Sequence, residues 1–266
     1  MRGYLSRPVT FILYAGIMAA IGVHYAHIYL NVLNPDKVVI LKDISELSGM
    51  TYLPEQHRFI GVSDNGDVTE FDIDGNLFRK RNYPELDLED ISLAKEPGYA
   101  WVTAEETRVL LKLRLRDFEF VSQNPVNDKL FPWYSKNKQF EGVLVREDAS
   151  ADIILANESM PASLVFLHDP LKSKSRSTIL DATSVSGVIN ILDKHLLAIS
   201  RTNGLLLLSA SGKPIGKWRL VHGHKVEGGA YVPGLGLVLC TDRKRSRLLI
   251  FTSMKSDTGI RDAFNL

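Results

Sequence analysis

The chain has 266 residues, 32 basic and 31 acidic, for a net charge of +1, and 45% of it is apolar. That balance gives no electrostatic case for nucleic acid as a partner, and the apolar content is enough for a packed core. The single cysteine, Cys240, excludes an intramolecular disulfide and a cysteine metal cluster.

Between Arg7 and Asp36 no residue carries a formal charge. About 20 mostly apolar residues cross a bilayer as a helix, so residues 9–33 are expected to form one N-terminal transmembrane helix. Arg2 and Arg7 precede it. Positive residues stay on the cytoplasmic side, which leaves residues 1–8 in the cytoplasm and places the part after the helix outside it. A cleaved signal peptide is the competing reading, but His24-Tyr25-Ala26 is a poor cleavage site.

The remainder reads as a repeat. Leu47–Asn76 carries a small pair, Ser48-Gly49, then strand Met50–Leu53, a polar turn, and strand Arg58–Ser63. The dipeptide Asn65-Gly66 suits a tight hairpin with positive φ at both central positions. Strand Asp67–Asp72, the turn at Asp74-Gly75 and strand Leu77–Tyr83 complete the unit. The opening pair returns at Glu89-Asp90, Glu141-Gly142, Ser186-Gly187 and Glu227-Gly228, at successive separations of 41, 52, 45 and 41 residues. A second marker closes each second strand: Ser63-Asp64, Ala104-Glu105, Ala156-Asn157-Glu158, Ser200-Arg201 and Thr241-Asp242. Its offset from the opening pair is 15, 15, 15, 14 and 14 residues. Four short strands in about 40 residues describe one propeller blade.

The expected fold is therefore all-β, a five-bladed β-propeller of four-stranded antiparallel blades over residues 37–252, with blades starting near 48, 89, 141, 186 and 227. The fifth unit lacks an outer strand, and the orphan strand at residues 38–42 is expected to supply it and close the ring. Closure removes the exposed sheet edges. Ser122–Lys138 reads as an irregular insertion carrying Phe131, Trp133 and Tyr134. Lys172–Ser177 reads as a polar loop, and Ser253–Leu266 as a tail of little pattern.

The first strand of a propeller blade lines the central channel, so the opening pairs converge at one mouth. That brings Glu89, Glu141 and Glu227 around one axis, with Ser48, Ser186 and Asp90 beside them. Converging carboxylates repel unless a cation sits among them, and hard oxygen ligands suit Ca²⁺. The second-marker acids Asp64, Glu105, Glu158 and Asp242 are further candidate ligands. His222 and His224 precede Glu227 on a loop toward the mouth and are the candidate general bases.

The strings LSGMTYLPEQHRFIGVSDNGDVTEFDIDGN, DLEDISL with VTAEE, NKQFEGV with ANE, SVSGV and KVEGGAY, in this order and spacing, resemble the SdiA-regulated family of membrane-anchored bacterial proteins. The resemblance implies a five-bladed propeller, distantly similar to NHL-repeat propellers, with a calcium site. It matches Glu89, Glu141 and Glu227 to the family's acidic opening pairs. The chain departs from that pattern at Ser200-Arg201-Thr202, where a more acidic string is expected, and at Asp242, where Glu is expected. The combined expectation is a single-pass cell inner membrane protein whose periplasmic propeller binds Ca²⁺ and acts as a binding or scaffolding module for a protein or small-molecule ligand at its mouth. The alternative is a calcium-dependent esterase or lactonase-like hydrolase that uses the channel metal.

Overall fold

The computed structural model describes residues 32–104, 109–126, 140–146, 152–158, 161–168, 176–192 and 194–266. Its strands form five radial sheets. Blade one is β3 (Leu47–Leu53), β4 (Arg58–Ser63), β5 (Asp67–Phe71) and β6 (Leu77–Asn82). Blade two is β7 (Leu88–Leu93), β8 (Tyr99–Ala104), β9 (Val109–Arg114) and β10 (Glu119–Pro125). Blade three is β11 (Phe140–Val145), β12 (Ile153–Asn157), β13 (Ser163–Leu167) and β14 (Arg176–Ile179). Blade four has β15 (Gly187–Ile191), β16 (His195–Ser200) and β17 (Gly204–Ser209). Blade five is β19 (Gly229–Val232), β20 (Gly236–Thr241), β21 (Arg247–Phe251) and, as its outer strand, β2 (Lys37–Ile40). The pairing of β2 with β21, from Lys37 opposite Ile250 to Ile40 opposite Arg247, ties the start of the propeller to its end.

Strand alternation supplies the packing. In β16, Leu196 and Ala198 join a cluster with blade three, while Leu197 and Ile199 join one with blade five. The same division holds around the ring, giving one buried apolar cluster at each of the five blade interfaces. A strand buried on both faces reads as a continuous apolar run, as in His195–Ser200 and Gly204–Ser209. Cys240 belongs to the cluster between blades five and one and is fully buried.

Several expectations change. The apolar segment up to residue 31 lies outside the described residues. Val32–Leu33, expected to end the helix, is instead β1, which pairs in parallel with β18 (Leu220–Val221). No helix among the described residues is long and apolar enough to cross a membrane. Blade four's outer edge is broken: Leu205 pairs with Arg219 and Leu208 with Pro214 through isolated bridges. Pro214 has no N–H for a ladder. Ser122–Pro125 extends β10 past a bulge rather than starting a loop, and the aromatics Phe131, Trp133 and Tyr134 lie outside the described residues. Arg176 and Ser177 begin β14.

The tail is ordered too. Thr252–Met254 forms a 3-10 turn and Asp257–Ala263 a helix, α1, capped by the Ser256 hydroxyl, which accepts from Gly259 N. Met254, Ile260 and Phe264 are buried against blades four and five. The Asn65-Gly66 turn differs as well. Only Gly66 has positive φ, +79°, so the loop between β4 and β5 has three residues. A three-residue hairpin loop takes glycine at its left-handed position, and this one leaves room for Asp64 to face the channel.

The inner strands nearly touch. A Cβ on Gly49 would lie 2.5 Å from Asp90 Cα, one on Gly142 2.8 Å from Gly187 Cα, one on Gly187 2.9 Å from Glu227 O, and one on Gly228 2.7 Å from Ser48 O. The glycines of the opening pairs are thus the closing contacts of the ring. Blade two has Asp90 at that position. Its buried carboxylate accepts from Ile91 N at 2.8 Å and from Val143 N at 3.0 Å, so it bridges to blade three. Gly228→Ala is expected to cost about 2 kcal/mol or more, because backbone stands where the methyl would go. Chemical unfolding of the two proteins measures it; equal midpoints would contradict the contact.

Candidate functional site

The opening pairs aim their side chains through a local irregularity. In blades one to three the β-register shifts between Leu47 and Gly49, Leu88 and Asp90, and Phe140 and Gly142. The unpaired residue in each bulge is Ser48, Glu89 or Glu141. A bulge re-aims a side chain, and here all three turn toward one mouth. Glu227 arrives from the approach to β19, with its N–H held by Cys240 O at 3.1 Å.

The three glutamates converge as the spacing predicts, and their side chains are all but fully buried. The cation among them is Arg201. Its Nη2 lies 3.1 Å from Glu141 Oε2 and 3.9 Å from Glu89 Oε2, and its Nε donates to Glu227 Oε2. Arg201 stands on the turn between β16 and β17, the second-marker position where the other described blades carry an acid or an amide beside one. The guanidinium therefore fills the centre that the sequence assigns to a metal held by all three glutamates. A planar fork of donors is suited to several carboxylates at once.

One charge does not balance the mouth. Asp64 and Asp87 lie beside Glu89, with one carboxylate oxygen from each within 4.8 Å of the others. Asp64 accepts from the Ser48 hydroxyl. Burial, then Glu141, Asp64 and Asp87, push Glu89 up to about 10 despite Arg201. Burial and Asp242 raise Glu227 to about 7 against the pull of Arg201. Burial, with Asp242 and Asp87, raises Asp64 to about 6 against the Ser48 hydrogen bond and Arg201. Asp64, Asp87 and Glu89 form an acidic cluster whose geometry can hold a metal ion.

The other candidates divide. Asp242 acts on both Asp64 and Glu227 and so belongs to the mouth. Glu158 ends blade three's second strand, where its carbonyl accepts from Val185 N, and is not among the charges that dominate Glu89, Glu227 or Asp64. Glu105 lies outside the described residues. Ser186 donates to Ile199 O and works in the ladder. His222 is on an exposed turn, and the charges acting on His224 are Arg247, Arg243 and His222, which with burial lower its pKa. Among the described residues no histidine joins an acidic group able to share an ion. Asp87 was not anticipated, although its i, i+2 spacing from Glu89 on an extended segment puts the two acids on one face.

Beyond the glutamates the channel continues as a cavity of about 220 Å³ lined by the first strands of all five blades, with Tyr52, Asn190 and Tyr231 among them.

Comparison with known proteins agrees with this architecture. The model of the SdiA-regulated family matches residues 33–223. No curated protein matches the chain in sequence. Among solved structures the chain is similar to a Myxococcus xanthus glutaminyl cyclase, at 10% identity and TM-score 0.57, covering 82% of this chain and 99% of that one. It is also similar to U3-55K, at 8% identity and TM-score 0.52 over 80% and 81% of the two chains. The WD40 repeats of RRP9 match at 8% identity and TM-score 0.51 over 82% and 81%. At these identities the likeness is one of fold.

Two outcomes follow from the electrostatics. Asp64, Glu89 and Glu227 hold protons in the folded chain that the unfolded chain releases near its ordinary carboxylate values. Stability without added metal therefore falls as pH rises above about 4.5, through 6 and 7 and on toward 10. Thermal unfolding in EDTA is expected to give a higher midpoint near pH 5 than near pH 8, and Glu89→Gln to flatten that slope. A midpoint that rises over the window would contradict it. Arg201→Gln leaves buried Glu141 and Glu227 without their cation, and its cost at pH near 8 is expected to be about 2 kcal/mol, moderated by the exposed third of the arginine. Denaturant titration reads it, and the loss should shrink near pH 5 as the acids take up protons.

Proposed function

Because the chain belongs to the SdiA-regulated family and closes its propeller around a surplus of buried carboxylates, we propose that it is a cation-dependent binding module held at a membrane. In this reading Asp64, Asp87 and Glu89 take a Ca²⁺ beside Arg201. The observation that carries the reading is the spacing of those three carboxylates: oxygens within 4.8 Å of one another match ligands about 2.4 Å from one shared ion. Carbonyls and waters complete the shell of six to eight oxygens that Ca²⁺ takes. The ion lowers the repulsion that raises Glu89 and Asp64, and it stiffens the mouth for a protein or small-molecule ligand. The uncharged segment at residues 8–35 supports a single-pass anchor with the propeller on the periplasmic side of the inner membrane.

The hydrolase alternative draws no support from the site, since neither His222 nor His224 is among the groups acting most on Asp64, Glu89 or Glu227. The similarity to a glutaminyl cyclase is one of fold and adds no chemistry to this chain.

Thermal unfolding of the full chain in detergent, with EDTA or with Ca²⁺, tests the proposal. A ligand about a hundredfold above its Kd stabilises the folded state by about 3 kcal/mol, so the midpoint is expected to rise with Ca²⁺. Asp87→Asn should abolish the rise. Glu141→Gln should keep it, because Glu141 serves Arg201. No rise in the parent, or a rise that Asp87→Asn leaves intact, would refute the site.

A further inference from the structure

The mouth is acidic, but the neighbouring outer surface of blades four and five carries the opposite charge. From Lys194 to Val226 the sequence has no Asp or Glu, while it carries Lys194, Arg201, Lys213, Lys217, Arg219 and Lys225. Arg201 is consumed by the glutamates, and Arg219 is buried. The turn after β20 adds Arg243, Lys244 and Arg245, all exposed. The segment Leu220–Lys225 and this turn are one surface. Arg243 Nη2 donates to Gly223 O at 3.5 Å, and both Arg243 and Arg247 act on His224. His222 and Lys225 are exposed beside them. Asp242, the carboxylate at the head of that turn, acts on Asp64 and Glu227 in the mouth. Next to the cations, Leu220 is 42% exposed and Ile215 40%, with Trp218 partly exposed between them.

This surface is also where the N-terminal part of the chain meets the propeller. β1 lies along β18, and His222 N donates to Leu33 O at 2.9 Å. The uncharged stretch at residues 8–35 therefore ends on it. A propeller tethered at this edge meets the bilayer with this edge first. Lysine and arginine beside a membrane anchor are drawn to anionic headgroups, and tryptophan with flanking apolar side chains favours the interface.

We propose that the surface formed by Leu220–Lys225 and Arg243–Arg245 docks on anionic phospholipid headgroups, so that the propeller lies against the membrane in one fixed orientation. The proposal rests on the membrane-anchor reading. It goes beyond that reading because an anchor followed by a free linker would leave the domain untethered in orientation. Docking at the boundary of blades four and five turns blade two, across the ring, away from the lipid.

The test uses the full chain in nanodiscs of phosphatidylcholine, with or without phosphatidylglycerol. Cys240 is buried, so Leu220→Cys supplies the reactive thiol, and Val121→Cys, at a blade-two position 41% exposed, is the control. The rate of modification by an uncharged polyethylene-glycol maleimide is the readout. Position 220 is expected to react roughly threefold or more slowly in the anionic discs, with position 121 unchanged. The slowing should vanish at about 0.5 M salt, where screening is short-ranged, and in the charge-reversed Lys225→Glu/Lys244→Glu protein. Equal rates at position 220 in both lipids, with the chain incorporated, would overturn the docking and leave the anchor standing. Failure of the chain to enter discs of either composition would overturn the anchor reading and the docking with it. Protection of position 220 by a DNA duplex in detergent, with none from anionic discs, would assign the patch to nucleic acid and overturn the proposal.

Discussion

Closing five blades into a ring forces their first strands into backbone contact, and the rest of the structure follows from that constraint. Only glycine fits at most of the closing positions, because a Cβ there would meet the next blade's backbone at less than 3 Å. The residue just before each closing position is pushed into a space shared by all five blades. Three of those residues are glutamates. Their convergence is a consequence of closure, and it creates an electrostatic cost that some cation must relieve.

Arg201 relieves part of that cost from within the chain. It reaches from a hairpin turn to Glu89, Glu141 and Glu227 together, so the ring of glutamates is a salt-bridge network centred on a side chain. What remains is displaced to one side, where Glu89 is shared with Asp64 and Asp87. The raised values of Glu89, Asp64 and Glu227 are signs of that surplus. Geometry separates the carboxylates held by the guanidinium, Glu141 and Glu227, from the group around Glu89 that a metal can still use. The same chain gathers exposed Lys225, Arg243, Lys244 and Arg245 on the outer surface at blades four and five, so a near-zero net charge conceals two polarised regions.

The five-fold repeat was legible in the sequence because the hairpin joining first and second strands has nearly fixed length, which keeps opening pair and marker in register. The convergence of Glu89, Glu141 and Glu227 was legible for the same reason. The partner was not. Arg201 stood out as a departure from the acidic pattern, but that a long side chain would reach three blades is a tertiary fact with no local signature. Asp87 had a local signature, the i, i+2 alternation with Glu89, that the focus on opening pairs passed over. α1 had one as well: Ser256 as cap, Asp257 in the first turn, and Ile260 and Phe264 four residues apart. His222 and His224 precede Glu227 closely in sequence, yet the charges that dominate Glu227 are Arg201, Asp242 and Asp64.

The central claim is that Arg201 occupies the ring and leaves beside it one acidic cluster, with Glu89 protonated, for a metal. Calorimetric titration of Ca²⁺ into the full chain near neutral pH, repeated in buffers of different ionisation enthalpy, tests it most directly. The account predicts one ion per chain with release of about one proton, since Glu89, held up to about 10, must ionise to bind. Binding with no proton released, or no binding, would contradict it.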